Sequence, residues 1–238
     1  MGKYFKLFII ILFSVWNISC YSSFMVTKTS FGVDLNRPMT QETALINQGN
    51  KVVRVRVDFE KPKWAKDKYY LGDQLVVYPK IVLIPPKSKI HVKIAPRIKR
   101  DLEDGEYVAL LVFKELPLRN NNNQVSLLMN IGIPYYGRKG ELRTGIEFKK
   151  FRVIKVKTGY KLQGNVMNIG NFSYSLNVKV KFYKEKKLIG EKTFKQGFYR
   201  DKLLEIKESI PLDRKADYAE VTFENEKFNF SKGLTFEL

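Results

Sequence analysis

The sequence has 238 residues, a formal net charge of +19, one cysteine and one histidine. A single cysteine excludes an intramolecular disulfide. One cysteine and one histidine are too few ligands for a zinc site, so we expect no metal. The sequence has no glycine-rich phosphate loop, so we also expect no cofactor. The Lys and Arg residues are spread along the chain and form no dense block, which favours solvent-facing positions for most of the charge.

Residues 1–22 are predicted to be an export signal. Lys3 and Lys6 precede an apolar run over residues 7–16, and small and polar residues follow it, which is the order of a secretory signal. The run is shorter than the roughly 20 apolar residues that span a bilayer. We therefore expect an exported protein of the periplasm or cell envelope, with no nucleic acid as partner.

Cys20 lies at the end of this signal, and two fates remain open for it. Asn17-Ile18-Ser19-Cys20 resembles a bacterial lipobox, although Asn17 stands where Leu is usual. Lipidation would anchor the protein to a membrane. In the alternative, Cys20 is removed with the signal after cleavage behind Ser22. Membrane contact is expected only through the signal or through a lipid on Cys20.

Most of the remaining chain alternates apolar and polar residues with a period of two, as half-buried β-strands do. The clearest examples are residues 51–59, 89–94 and 176–182. Turn sequences rich in Asn, Gly and Pro separate the strands, which is typical of antiparallel sandwiches. The predicted fold class is therefore all-β.

The alternating segments divide into two β-sandwich domains in tandem, predicted over residues 24–140 and 145–238. A polar, glycine-bearing stretch over residues 137–140 is predicted to be the hinge. In the first domain, Asp104-Gly105 and Glu106-Tyr107 precede an apolar strand. This order is typical of a tyrosine corner, in which a tyrosine hydroxyl binds nearby backbone, although an ordinary buried tyrosine fits equally.

His91 is the residue on which any Ser-His-Asp arrangement would depend. It alternates with Lys89 and Lys93 on the polar face of a predicted strand, so we expect it to be solvated. Glu103 and Asp104 are ordinary turn residues. No catalytic residues are identified, and we expect that the protein is not an enzyme.

Three segments of the first domain share a more specific pattern. Residues 75–94 contain a strand that ends in proline, a second proline turn and an alternating strand. Residues 113–117 form a Phe-Lys-Glu-Leu-Pro strand end, and residues 125–138 form a long strand that closes in aromatic residues and an Arg. These segments resemble the periplasmic pilus-assembly (PapD-like) chaperones. The resemblance implies two immunoglobulin-like β-sandwich domains that bind pilus subunits by β-strand addition.

The chain departs from this family at the clamp for the client's terminal carboxylate. The family uses an Arg in the first strand and a Lys in the last strand of the first domain. Residues 25–35 contain no Arg, and Lys28 is the nearest cation, although it is offset. Ile133 stands where the Lys is expected. The resemblance thus implies the sandwich and its strand edge but not the clamp, and Lys28 is the candidate cationic anchor.

One face of the predicted last strand is apolar and is the candidate client-binding strand. Its members are Val125, Leu127, Met129, Ile131 and Ile133. Such a face could fill pockets of a client during donor-strand pairing, or it could pack into the sandwich of its own domain. The sequence leaves both interpretations open.

Two functions follow from these observations. The first is an exported, chaperone-like protein that binds pilin-like subunits by donor-strand β-strand addition, with an outer-membrane assembly protein as a further partner. The alternative is a lipid-anchored structural or adhesive envelope protein built of immunoglobulin-like domains. The fate of Cys20 distinguishes the two functions.

Overall fold

The computed structural model describes residues 23–118 and 127–238. The predicted export signal, Cys20 and Val125 lie outside the described residues. Regular structure within the two described ranges is β-strand, apart from 3-10 helices over Asp67–Tyr69, Gly72–Gln74 and Glu226–Phe228. No helix in these ranges is long and apolar enough to cross a membrane. The prediction of an all-β fold is confirmed.

The first domain is a sandwich of two sheets. Its strands are β1 (Met25–Val26), β2 (Phe31–Asp34), β3 (Gln41–Asn47), β4 (Val53–Glu60), β5 (Leu75–Tyr78), β6 (Ile81–Ile84), β7 (Ser88–Pro96), β8 (Gly105–Leu116) and β9 (Asn130–Lys139). The four-stranded sheet has the order β1-β3-β7-β5, and the five-stranded sheet has the order β2-β9-β8-β4-β6.

Alternation in β4 shows why these segments form strands. Val53, Val55 and Val57 are buried, whereas Arg54 and Arg56 are exposed. Burial of one face supplies the hydrophobic stabilisation, and the charged face remains hydrated. The same alternation places the inner faces of both sheets in one core.

The second domain is also a two-sheet sandwich. Its strands are β10 (Ile146–Val156), β11 (Gly159–Asn168), β12 (Tyr174–Lys184), β13 (Lys187–Phe198), β14 (Leu203–Pro211), β15 (Tyr218–Asn225) and β16 (Phe230–Glu237). The sheets have the orders β10-β11-β14 and β13-β12-β15-β16. A separate core fills the space between them, and its largest members include Phe172, Phe182 and Phe223.

The predicted hinge lies partly within a strand. Residues 137–139 form the end of β9, and the connection to the second domain runs over residues 140–145. Gly137 is buried, and a Cβ at this position would lie 2.8 Å from side-chain carbons of both Leu35 and Leu71. A side chain at this position would force both leucines to move, so this glycine serves close packing within the strand and not flexibility.

Tyr107 forms the predicted tyrosine corner. It is buried near the start of β8, and its hydroxyl donates a hydrogen bond to the carbonyl of Glu103 at 3.1 Å. This bond ties the turn to the strand that follows it.

The two domains meet around the buried carboxylate of Glu106. Its oxygens accept hydrogen bonds from Arg138 Nε at 3.0 Å and from the backbone N–H of Ser173 at 3.1 Å. The backbone N–H of Glu106 donates to the carbonyl of Asn171 at 2.9 Å. Because an unpaired buried carboxylate is costly, these contacts couple the first domain to the second.

Arg200 and Asp201, in the turn between β13 and β14, complete this joint. The guanidinium carbon of Arg200 lies 3.6 Å from the centroid of the Tyr69 ring, and Nη1 donates to the carbonyl of Glu106 at 2.8 Å. The Asp201 carboxylate accepts from the Tyr69 hydroxyl at 2.7 Å and from Lys66 at 3.1 Å. Burial acts to raise the pKa of Asp201, but these hydrogen bonds outweigh it and hold the pKa below its usual range.

Candidate strand-binding edge

Among the residues that the structure describes, half of strand β9 has only one neighbouring strand. On one side β9 pairs with β8 along its whole length, from Asn130 opposite Lys114 to Lys139 opposite Gly105. On the other side, β2 pairs with it in parallel only from Tyr135 onwards. In the part of the chain that the structure describes, no strand covers the outer edge from Asn130 to Pro134.

The backbone groups that point to this open edge follow from the pairing. Met129 accepts from the N–H of Glu115 on the β8 side, and Arg138 accepts from the N–H of Leu35 on the β2 side. Successive residues alternate between the two sides of a strand. The N–H groups of Asn130 and Gly132 therefore point to the open edge, where Pro134 has no N–H to offer.

The predicted client-binding residues lie along a gradient of burial. Leu127, before the start of β9, is 93% exposed. Met129 and Ile131 are half-buried and pack against the core of the first domain. Ile133 is 3% exposed and belongs to that core. The Ile133 side chain is therefore inaccessible from the surface, whereas the Leu127 side chain is in solvent.

Glu115 fixes the start of this edge. Its Oε2 accepts hydrogen bonds from the Ser23 hydroxyl at 2.6 Å and from the backbone N–H of Met129 at 2.9 Å. The N-terminal end of the described chain and the segment before β9 are thereby held against the end of β8.

Lys28 lies on the short connection between β1 and β2, which belong to different sheets. Its Nζ is 5.0 Å from the centroid of the Phe31 ring, and Phe31 packs on Tyr135 of β9 with ring centroids 5.8 Å apart. The Tyr135 hydroxyl is buried, and desolvation raises the pKa of this group. Lys28 thus lies beside the point where β2 joins β9.

His91 is solvent-exposed, as the sequence predicts. It lies in β7, and its Nδ1 contacts Oε1 of Glu42 in β3; both side chains are about half exposed. The contacts of this pair indicate no function.

The opposite border of the first domain carries a feature that the sequence analysis missed. β5 and β6 are edge strands of the two sheets, and each carries two exposed large apolar residues: Val76, Tyr78, Ile81 and Leu83, with exposed fractions between 48% and 76%. Alternation alone could not reveal them, because both faces of these strands are apolar. Exposed apolar side chains grouped in this way are typical of an interaction surface.

Solved structures of fimbrial chaperones have a similar fold. A chain of the chaperone–tip adhesin complex of CFA/I fimbriae biogenesis superposes with a TM-score of 0.57 at 12% identity, over 91% of this chain and 98% of that one. The class 5 fimbriae chaperone CfaA gives 0.53 at 12% identity, over 90% and 98%. A chain of the Salmonella enterica SafA pilin complex with the SafB chaperone gives 0.50 at 14% identity, over 92% and 97%.

No protein-family model matches the sequence, and no curated protein matches it. The likeness is therefore one of fold, over nearly the full length of both chains. The sequence resemblance is confirmed at this level: the chain has the two-domain, immunoglobulin-like β-sandwich fold of the fimbrial chaperones.

Proposed function

We propose that this protein is an exported chaperone that binds pilin-like subunits by β-strand addition at the open edge of β9. The observation that carries the proposal is the uncovered edge from Asn130 to Pro134, flanked by the exposed Leu127. A client strand with an unpaired edge of its own would complete its backbone hydrogen bonds there. The shared fold supports this function.

The side chains of this segment suit a donor strand. Leu127, Met129 and Ile131 offer aliphatic groups that lie wholly or partly outside the core. In strand addition, alternate side chains fill pockets of the client and provide specificity. Val125 extends this set as a prediction from the sequence, and Ile133 serves the core of the first domain.

Lys28 is the proposed cationic anchor. It occupies the crossing between the two sheets, half-buried over Phe31, and no carboxylate pairs with it among the described residues. A client carboxylate that reached this point would gain one ion pair. A single lysine holds a carboxylate as a point charge and lacks the bidentate geometry of an arginine.

The edge formed by β5 and β6 is the proposed surface for a second protein. A chaperone must pass its client to an assembly machinery while the β9 edge is occupied. Val76, Tyr78, Ile81 and Leu83 lie on edge strands of both sheets at the border away from β9. We assign this surface to an outer-membrane assembly protein.

The decisive experiment is capture of envelope proteins by the purified mature chain. Leu127→Glu places a charge where the client has an apolar pocket, so capture should fall by at least about tenfold. The Leu127 side chain is already in solvent, so the thermal midpoint should not change. Leu188→Glu is the matched control, because Leu188 is an exposed leucine of β13 in the second domain, and it should capture the client normally.

Ile133→Glu is the control for a position in the core. Burying a charge in the core should unfold the first domain, so this variant should lose its folding transition. Normal client capture by folded Leu127→Glu would contradict the proposal. A lipid on the mature N-terminal Cys20, together with no captured subunit, would instead support the anchored structural protein.

A further inference from the structure

Strand β10 of the second domain contains a β-bulge. Lys149 lies opposite Asn165 and Arg152 lies opposite Gln163, so the two residues between them share the single partner Gly164 on β11. Bulges redirect side chains and often border functional sites. This one lies in the other domain from the β9 edge and is independent of the function proposed above.

The backbone at the bulge is strained. Lys150 has a φ of 53°, and the other described non-glycine residues with positive φ all lie in turns. Such conformations are uncommon for residues with a Cβ and accumulate at functional positions. Gly164 has a φ of 153°, and a Cβ there would lie 2.5 Å from the Cα of Phe151. The sequence thus specifies the bulge on both strands.

Arg152 is held in place by its cross-strand neighbour. With its amide oxygen facing Arg152, Gln163 accepts hydrogen bonds from Nε at 3.0 Å and from Nη2 at 2.8 Å. A guanidinium group has five N–H donors, so three remain. No carboxylate pairs with Arg152 among the residues that the structure describes. The free donors form a fork on an exposed side chain.

The fork borders an open cavity of about 410 Å³ on the outer side of the β10-β11-β14 sheet. Lys150, Arg152 and Lys207 contribute positive charge to its lining, and Glu205 contributes one carboxylate. Glu205 Oε1 pairs with Lys207 Nζ at 2.6 Å, but both side chains are more than half exposed, and such pairs are weak. An entering anion can therefore recruit Lys207.

We propose that this cavity is a binding site for a phosphate-class oxyanion. The remaining N–H groups of Arg152 bind two oxygens side by side, which is the geometry that arginine offers to phosphate. Lys150, turned by the bulge, and Lys207 neutralise the remaining charge. Gln163 is a positioning residue that keeps the guanidinium plane fixed.

Titration of the folded protein with inorganic phosphate at constant ionic strength tests this site. Nuclear magnetic resonance should show saturable shifts of the amides of residues 150–152 and 163–165. Arg152→Gln should weaken binding by about tenfold or more. Gln163→Leu keeps every charge and should also weaken binding, because the fork loses its support. Lys161 lies on β11, as Gln163 does, but outside the cavity lining. Lys161→Gln therefore removes one positive charge and should bind phosphate normally.

Vesicles of phosphatidylcholine with phosphatidylglycerol identify the source of the phosphate. Co-sedimentation that Arg152→Gln reduces and Lys161→Gln does not would assign the site to lipid headgroups. Phosphate binding without co-sedimentation would assign it to free phosphate. Absence of saturable phosphate shifts, or equal losses in Arg152→Gln and Lys161→Gln, would overturn the proposal.

Discussion

Lys28 is the residue on which the proposed anchoring of a client depends. Its ammonium group lies beside the Phe31 ring at the crossing between the sheets. We expect Lys28→Gln to weaken binding of a client with a free C-terminal carboxylate by about two- to fivefold, because a partly exposed ion pair contributes little. Surface plasmon resonance with the free and the amidated client measures this effect.

The amidated client is the internal control for this prediction. It should bind wild type and Lys28→Gln equally. Lys184 is an exposed lysine of the second domain, so Lys184→Gln should bind both the free and the amidated client as wild type does. Equal losses for the free and amidated clients would show that Lys28 supports the fold of the edge and does not bind a carboxylate.

For His91 we expect substitution to have no effect. It is half exposed, and its side chain contacts the Glu42 carboxylate on the sheet surface. We expect His91→Ala to leave both client capture and the thermal midpoint unchanged, since exposed pairs of this kind stabilise little. A large functional loss in a protein with an unchanged midpoint would reopen the question of catalysis.

Residue patterns predict which side chains share a face but not how much of that face is covered. Leu127 and Ile133 belong to the same alternating series, yet one is 93% exposed and the other 3% exposed. Leu127 lies before β9 begins, whereas Ile133 lies within the sheet and packs into a core that strands distant in sequence complete. Such non-local coverage cannot be deduced from a period of two.

At the scale of elements, the open half of β9 should be visible in backbone dynamics. The N–H groups of Asn130 and Gly132 point to the open edge, whereas those of Ile131 and Ile133 point to β8. We expect hydrogen exchange to be fast at the first pair and slow at the second, because ladder hydrogen bonds protect amides. Residue-resolved exchange by nuclear magnetic resonance measures this alternation.

Addition of a client should protect Asn130 and Gly132 selectively. The amide of Tyr136, which points towards β2, serves as the control and should be protected in both states. Uniform protection of all these amides in the free protein would mean that another segment covers the edge, and the strand-addition function would then need a different site.

The sequence predicted most strands well and their irregularities poorly. Residues 51–59, 89–94 and 176–182 correspond to β4 (Val53–Glu60), β7 (Ser88–Pro96) and β12 (Tyr174–Lys184). In contrast, Gly137 was predicted to be part of a hinge but lies within β9. The prediction was wrong because a glycine that admits a close neighbour cannot be distinguished in the sequence from a glycine that bends the chain. The bulge in β10 was missed for a related reason, since a single extra residue barely disturbs the alternation.

At the scale of the whole molecule, the domain joint should depend on pH. Hydrogen bonds from Tyr69 and Lys66 lower the pKa of Asp201. A carboxyl group whose pKa is lowered in the folded state stabilises the fold at pH values above the ordinary aspartate pKa. This stabilisation is lost as the pH falls through the pKa of the folded state. We expect wild type to have a higher thermal midpoint than Asp201→Asn at pH 7, and the difference to shrink below about pH 4.

Asp213→Asn is the control for this prediction. Asp213 lies exposed in the loop after β14, so its substitution should leave the midpoint unchanged at pH 7. A constant difference between wild type and Asp201→Asn down to the lowest pH would show that the carboxylate charge contributes nothing at the joint.

The joint itself could not be predicted from the sequence. Its members come from distant parts of the chain, with Tyr69 and Glu106 in the first domain and Asn171, Arg200 and Asp201 in the second. Each is an ordinary surface or turn residue in its local context. Only the folded arrangement shows that Glu106 is buried and requires Arg138 and Ser173 as partners.

The parallel pairing of β2 has a consequence for what can bind beside it. β2 begins opposite Tyr135, so a strand that enters along the open edge of β9 is stopped by the start of β2. The free length is about five residues, or roughly 16 Å at the rise of a β-strand. β2 thus sets the point on β9 beyond which an added strand could not extend, and so would fix the register of such a strand.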